Sequence, residues 1–216
     1  MTTFLLLPGA GGEPWFWHRV VPLLEARGHE AIPVDLPADD ETAGWAEYTE
    51  IARAATRPGA VVVGQSMGAF LAPLVPGASA IVLVNPMIPA PGETAGEWWK
   101  ATRQEEARAE AGFTDFDLDR DFLHDMSPEL AAEVRKGGRP QSDHSFADPY
   151  PLTAWPTVPT TVLAARDDRL FPLAFQRRVA RERLGIDGGE VVALPGGHLN
   201  ALSYPEEVAA ALITAV

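Results

Sequence analysis

The chain predicts an α/β architecture: a mostly parallel sheet of roughly six strands with helices over both faces. Two observations carry that prediction. Short apolar runs alternate with segments of helical length and periodicity, as in successive strand–crossover–strand units. The runs are also continuously apolar, as strands buried on both faces are.

In chain order, the expected strands are Thr3 to Leu7, Glu30 to Val34, Ala60 to Gly64, Ser79 to Val84, Thr160 to Ala165 and Glu190 to Leu194. Helices are expected from Pro14 to Arg27, where proline occupies the first turn, and from Thr42 to Thr56. Three more are expected from Met67 to Leu74, Pro172 to Leu184 and Pro205 to Thr214. Pro73 should end or bend the third of these five.

One stretch breaks the rhythm. Between Asn85 and Thr157 no strand is legible, while helical patches occur at Glu93 to Ala111, Asp117 to His124 and Pro128 to Lys136. A long excursion at one strand end is read as a lid over a site. The domain reading is therefore a core of residues 1–85 and 158–216 and a helical lid of residues 86–157. Its apolar members are candidates to line a substrate pocket, Met87, Trp98 and Trp99 foremost, together with His144. Trp98 and Trp99 are adjacent, so one helix cannot turn both toward the same cavity. Arg103, Arg108, Arg120, Arg135 and Arg139 could meet a substrate carboxylate.

Composition narrows the function classes. A chain of 216 residues suits a single domain with one well-buried core. The formal charge of −13 and the lack of any basic run argue against a nucleic-acid partner. There is no cysteine, which excludes disulfides and thiolate chemistry. No His-Glu-x-x-His or comparable cluster suggests a metal, and no cofactor is expected. The apolar run after Met1 has strand length and no basic residue before it, so it is not read as a signal peptide. No segment reads as membrane-spanning, and a cytoplasmic location with a small-molecule substrate is the expectation. Oligomeric state is left open.

The chemistry concentrates where Ala60-Val-Val-Val-Gly64 ends in Gln65-Ser66-Met67-Gly68. A strand that turns at once into a helix, with serine at the apex, is a nucleophile elbow. A serine hydroxyl is a weak nucleophile alone, so a base and an orienting acid must come from elsewhere. Leu194-Pro-Gly-Gly-His198 follows the last expected strand and offers His198 as the base. The loop after Thr160 to Ala165 offers Asp167 or Asp168 as the acid. His18 and His29 are read as packing or solvent residues; His124 and His144 lie in the lid. Pro8-Gly-Ala-Gly-Gly12 lacks the Gly-Lys-Ser/Thr ending of a P-loop and the spacing of a dinucleotide fingerprint.

The order Ser, Asp, His resembles that of the α/β-hydrolase superfamily. The N-terminal part is similar to the small plant methylesterase and hydroxynitrile lyase group. The stretches that carry this likeness are Phe4-Leu-Leu-Leu-Pro-Gly-Ala-Gly-Gly12, Trp15-Phe-Trp17-His18, Val20 to His29 and Val34-Asp-Leu36. Two departures stand out: Pro8-Gly9 where family members usually carry His-Gly, and Gln65 where His or Tyr is frequent. The resemblance implies an α/β-hydrolase fold lacking the usual leading antiparallel hairpin. Its Gly-x-x-Asp-x-x-x-Pro pattern, laid on Ala165 to Pro172, selects Asp168. It also implies an oxyanion hole from the backbone N–H groups of Ala10 and Met67. The implied activity is cleavage of a small carboxylic ester or thioester through an acyl-enzyme. A lyase reusing the same residues and a non-catalytic small-molecule receptor are the alternatives.

Overall fold

The computed structural model describes residues 1–216. The strands are β1 Thr3–Leu7, β2 Glu30–Pro33, β3 Val61–Gln65, β4 Ala80–Val84, β5 Thr160–Ala165 and β6 Val192–Leu194. They form one sheet in the order β2-β1-β3-β4-β5-β6, every neighbouring pair parallel. The α/β-hydrolase fold is thus present, with a six-stranded sheet. The strand order reverses between β1 and β3, so the loops leaving their carboxyl ends diverge around a crevice. Open parallel sheets place ligands at such a point.

Each strand packs both faces. Leu5, Leu7, Val62, Ile81 and Leu83 point to one side, into a cluster shared with the helices α2 Trp45–Ala55, α3 Gly68–Leu71 and α9 Leu173–Leu184. Phe4, Leu6, Val61, Val63 and Val82 point to the other, against Leu24 of α1 Val21–Glu25 and Val208 and Leu212 of α11 Pro205–Thr214. All ten strand side chains are essentially inaccessible to solvent. Each contributes about 1.5–3 kcal/mol of transfer free energy to the sheet from which those loops leave.

Between β4 and β5 the chain leaves the sheet through five helices: α4 Ala95–Ala101, α5 Gln104–Glu110, α6 Leu118–Asp121, α7 Pro128–Lys136 and α8 Asp143–Ala147. The single helix expected over Glu93 to Ala111 is two. Arg103 sits in the left-handed region at φ 54°, and the Thr102 hydroxyl turns back to donate to Trp98 O at 2.7 Å. The first expected helix is likewise split, into a 3-10 turn at Pro14–Trp17 and α1. Pro22 has no N–H to continue the earlier turn, so it opens a new helix instead. The helix after Ser66 is four residues long before passing into a 3-10 turn at Ala72–Leu74 that contains Pro73. The expected Asp117 to His124 helix shrinks to one turn, and α8 and the short α10 Asn200–Ser203 were not anticipated. No helix is long and apolar enough to cross a membrane.

The excursion is fastened back to the body at both ends. Asp148 Oδ2 accepts the Trp45 backbone N–H at 2.9 Å, capping α2 from outside, and Asp148 O accepts the Trp45 indole N–H at 3.1 Å. At the other end, Arg183 forks onto the Glu93 carboxylate at 2.9 and 3.1 Å.

Candidate active site

Ser66 stands between β3 and α3 with φ 49°, a left-handed conformation that costs an L residue roughly 1–2 kcal/mol. The turn is held because nothing larger than glycine fits beside it. A Cβ at Gly64 would lie 2.6 Å from Gly68 O, and one at Gly68 would lie 2.6 Å from Pro8 O. The Ser66 N–H donates to Val84 O at 3.0 Å, and its carbonyl accepts from Met87 N at 3.0 Å. Strain is thereby locked in by neighbours, as at many reactive residues.

The hydroxyl meets an imidazole. His198 Nε2 lies 3.0 Å from Ser66 Oγ, and His198 Nδ1 lies 2.8 Å from Asp168 Oδ2. An ionised carboxylate only accepts, so Nδ1 carries the ring proton and Nε2 is free to accept from the serine O–H. Asp168 is nearly sealed from solvent, and its other oxygen accepts the backbone N–H groups of Leu170 at 2.8 Å and Phe171 at 2.7 Å. Gln176 Nε2 donates to Oδ2 at 3.3 Å. Asp167 is exposed, and the carboxylate that meets His198 is that of Asp168, so geometry separates the two neighbouring aspartates. Asp35, at the end of the β2 crossing, is exposed and paired with Arg139 at 2.9 Å.

Two aromatic rings fix the imidazole plane. Phe122 stacks on it with centroids 5.2 Å apart and 15° between planes, while Phe171 meets it edge-on at 4.9 Å. The backbone N–H groups of Ala10 and Met67 donate to no protein acceptor, and both residues line the cavity above Ser66. They are free to receive an oxygen that develops negative charge.

That cavity holds about 390 Å³ and is walled by Met87, Trp99, Phe116, Phe122, Phe146 and Leu170. Met87 and Trp99 of the expected pocket residues are therefore in it. Trp98 is a correction. It is fully buried in the core, its indole N–H donates to Ile88 O at 2.9 Å, and its ring packs on Phe171 and Phe175. One residue of helical rotation separates it from Trp99, and the core claimed the larger buried face. His144 is the second correction: it lies on a separate surface cleft among Asp39, Glu41 and Asp143. Of the five arginines, Arg108 reaches the wall of the cavity, where it pairs with the buried Asp121 at 2.7 Å. Burial alone would raise the Asp121 carboxyl. Hydrogen bonds from Arg120 and the Asp117 amide, with the charges of Arg108 and Arg120, instead hold it below the usual carboxylate range.

The helical segment also grips the loops that carry the acid and the base. Gln104 Nε2 and Arg108 Nε donate to Leu170 O and Arg169 O at 2.6 and 3.0 Å. Asp125 Oδ2 accepts from Gly197 N at 2.7 Å and from Ser203 Oγ at 2.6 Å.

Asn85, which the sequence marked only as a strand end, is wholly buried with φ 46°. Its Oδ1 accepts Ala165 N at 2.7 Å, and its Nδ2 donates to His198 O at 2.9 Å and to Asn200 Oδ1 at 3.1 Å. One side chain thus ties the strand leading to Asp168 to the loop carrying His198. The only sequence signal was an Asn, a residue tolerant of positive φ, directly before Pro86. Asn85→Gly keeps the backbone conformation and removes the three bonds. It is expected to lower kcat by about tenfold to a hundredfold, since each buried partner left unpaired costs about 1–3 kcal/mol, with KM little changed. Steady-state kinetics check this, and an unchanged kcat would remove Asn85 from the site.

Residues 4–211 match the model of the alpha/beta hydrolase family. A pyrethroid hydrolase from Sphingobium wenxiniae is 28% identical over 246 residues, covering 98% of this chain and 86% of that protein. Among solved structures, polyneuridine aldehyde esterase superposes with a TM-score of 0.81 at 22% identity, covering 99% of this chain and 98% of that one. The methylesterase MES16 from Arabidopsis superposes at 0.76 with 20% identity, covering 100% and 98%. The chain belongs to the alpha/beta hydrolase family. It is an enzyme, and its fold is that of the plant methylesterase group.

Proposed function

We propose that this enzyme is a serine hydrolase that cleaves a carboxylic ester or thioester of a small molecule through an acyl-enzyme intermediate. The observation that carries the reading is the unbroken hydrogen-bonded chain Ser66–His198–Asp168 beneath a largely apolar cavity. In this reading Ser66 Oγ attacks the carbonyl carbon while His198 Nε2 takes its proton. The carbonyl oxygen, now negative, receives the Ala10 and Met67 N–H groups. His198 then protonates the leaving oxygen or sulfur, and the carbonyl re-forms as the acyl ester of Ser66. Water follows the same path: His198 takes its proton, the hydroxide attacks the acyl carbon, and the proton returns to Ser66 as the carboxylic acid departs. Asp168 holds the Nδ1–H tautomer throughout and stabilises the imidazolium.

Residues 86–157 act here as a lid. Their contacts to the Asp168 and His198 loops support that role, because substrate entry and alignment of the two loops then involve the same segment. The names of the relatives, a pyrethroid hydrolase, an esterase and a methylesterase, favour ester chemistry over the alternatives.

The test is a pre-steady-state assay with nitrophenyl esters and acyl-thioesters. A burst of about one product per enzyme is expected where deacylation is slower, and acid-quenched enzyme should carry the acyl mass on the peptide containing Ser66. Turnover with no adduct on that peptide under any substrate would overturn the acyl-enzyme.

A further inference from the structure

A second cavity, of about 650 Å³, adjoins the one above Ser66 and shares with it Ala10, Gln65, Phe122 and Leu199. We infer that this second chamber receives the alcohol half of the substrate, so that the preferred substrates are esters of bulky, uncharged, ring-bearing alcohols rather than methyl esters. The inference rests on the acyl-enzyme reading and adds a direction to it.

The direction follows from the four groups around the attacked carbon. Ser66 Oγ forms one bond. The oxygen that becomes negative must face Ala10 and Met67. The leaving oxygen must face His198 Nε2, because that nitrogen delivers its proton. Gln65 Nε2 lies 3.5 Å from His198 Nε2 and 3.3 Å from His198 O, and Gln65 lies on the wall common to both chambers. Leu199, the next residue along from His198, does too. A leaving group that starts at His198 therefore passes Gln65, Leu199 and Phe122 into the larger chamber. The acyl group takes the remaining direction, toward Met87, Trp99 and Phe146 in the smaller one.

The chemistry of the larger chamber suits ring systems. Its walls include Trp15, Phe16, Leu118 and Phe122. Trp15 and Leu118 are 39% and 41% exposed, and Phe116, in the smaller chamber, is 54% exposed. Apart from Met1 and Val216 at the chain ends, the large apolar side chains this exposed are those three and Val192. Exposed apolar surface collected around one opening marks a place where an apolar partner sits. The rim carries Glu13, Glu133, Arg135 and Lys136, two charges of each sign, and Arg135 is spent on Asp119 at 2.8 Å. With Arg135 committed, the rim has no excess of positive charge to hold an anionic ligand. A volume of this size is that of a drug-sized group, far beyond methanol.

The experiment compares three esters on the wild-type enzyme: methyl butanoate, biphenyl-4-ylmethyl butanoate, and a probe reversed in the sense that the biphenyl is moved to the acid half, methyl 4-(biphenyl-4-yl)butanoate. The first two share an acid and have unactivated alcohols. A kcat/KM at least about tenfold higher for the biphenylmethyl ester than for either methyl ester is expected, given what added apolar contact contributes to selectivity. Val134→Trp, which fills the chamber from α7, should shrink that ratio about tenfold or more. A faster reversed ester would mean that the chamber holds the acid, and equal rates that it holds neither; both overturn the assignment. A small ethoxy fluorophosphonate labels Ser66 without needing the chamber. Labelling with the wrong ester preference removes this inference alone, whereas no labelling removes it together with the acyl-enzyme reading beneath it.

Discussion

Ser66→Ala is expected to lower kcat by roughly 10⁴–10⁶ and to abolish labelling by fluorophosphonates, leaving only the modest acceleration that binding and oxyanion contacts supply. The size of the effect follows from the arrangement. His198 Nε2 faces a single protein hydroxyl at 3.0 Å, so no neighbouring group inherits the role of nucleophile when that hydroxyl is removed. A loss of about 10⁵ corresponds to roughly 7 kcal/mol, well beyond the 3–4 kcal/mol that one oxyanion donor typically supplies. The Ala10 and Met67 N–H groups remain in place, so a substrate analogue should still bind. The backbone offers a second readout. At φ 49° an alanine is as strained as the serine, whereas Ser66→Gly relieves the left-handed conformation and should raise stability by about 1 kcal/mol while losing turnover equally. Thermal unfolding of the two variants beside wild type checks this. Residual turnover above about one per cent in Ser66→Ala would show that the hydroxyl is not the nucleophile.

How much of this was legible in the sequence depends on the range of the interaction involved. The sheet was legible because each strand is a continuous apolar run, and the elbow because Gly64 and Gly68 flank Ser66 at fixed offsets within one short segment. His198 and Asp168 were legible as candidates because loops at strand ends carry the chemistry of such sheets. What stayed hidden is decided by packing across the chain. Trp98 and Trp99 have the same chemistry and both pack on Phe171; the contacts that set Trp98 apart, with Phe175 and with Ile88 O, come from residues remote from the pair in sequence. Asn85 looks like an ordinary turn residue until β5 and the His198 loop are seen to converge on its amide. The broken helix at Arg103 was hidden for the same reason. Gln104 and Arg108 are drawn to the carbonyls of Leu170 and Arg169, and a straight helix through Thr102 is not what the structure forms. Local pattern specifies elements; the long-range polar contacts specify their ends.

Asp168→Asn should lower kcat by roughly 10³–10⁴ at neutral pH while leaving the fold and KM nearly intact. The reason lies in which oxygen is already committed. Asp168 Oδ1 accepts two backbone N–H groups, from Leu170 at 2.8 Å and Phe171 at 2.7 Å, whereas Oδ2 faces the His198 Nδ1–H at 2.8 Å and Gln176 Nε2 at 3.3 Å. An asparagine must choose. Turning its oxygen toward Leu170 and Phe171 preserves two bonds and places its NH₂ against His198. The imidazole then has to accept at Nδ1 and carry its proton on Nε2, and that tautomer cannot take a proton from Ser66. Turning the amide the other way restores the working tautomer but sets NH₂ against two backbone N–H groups in a buried place, costing about 1–3 kcal/mol for each unpaired donor. The first orientation is therefore favoured, and it is the inactive one. Fluorophosphonate labelling of Ser66 should slow in the same proportion as turnover, since both need the serine proton removed. NMR of the ring protons should show the proton on Nδ1 in wild type and on Nε2 in the variant. A variant with the proton still on Nδ1 and turnover within tenfold of wild type would mean that Asp168 braces the loop without setting the tautomer, and the assignment of the acid would have to be given up.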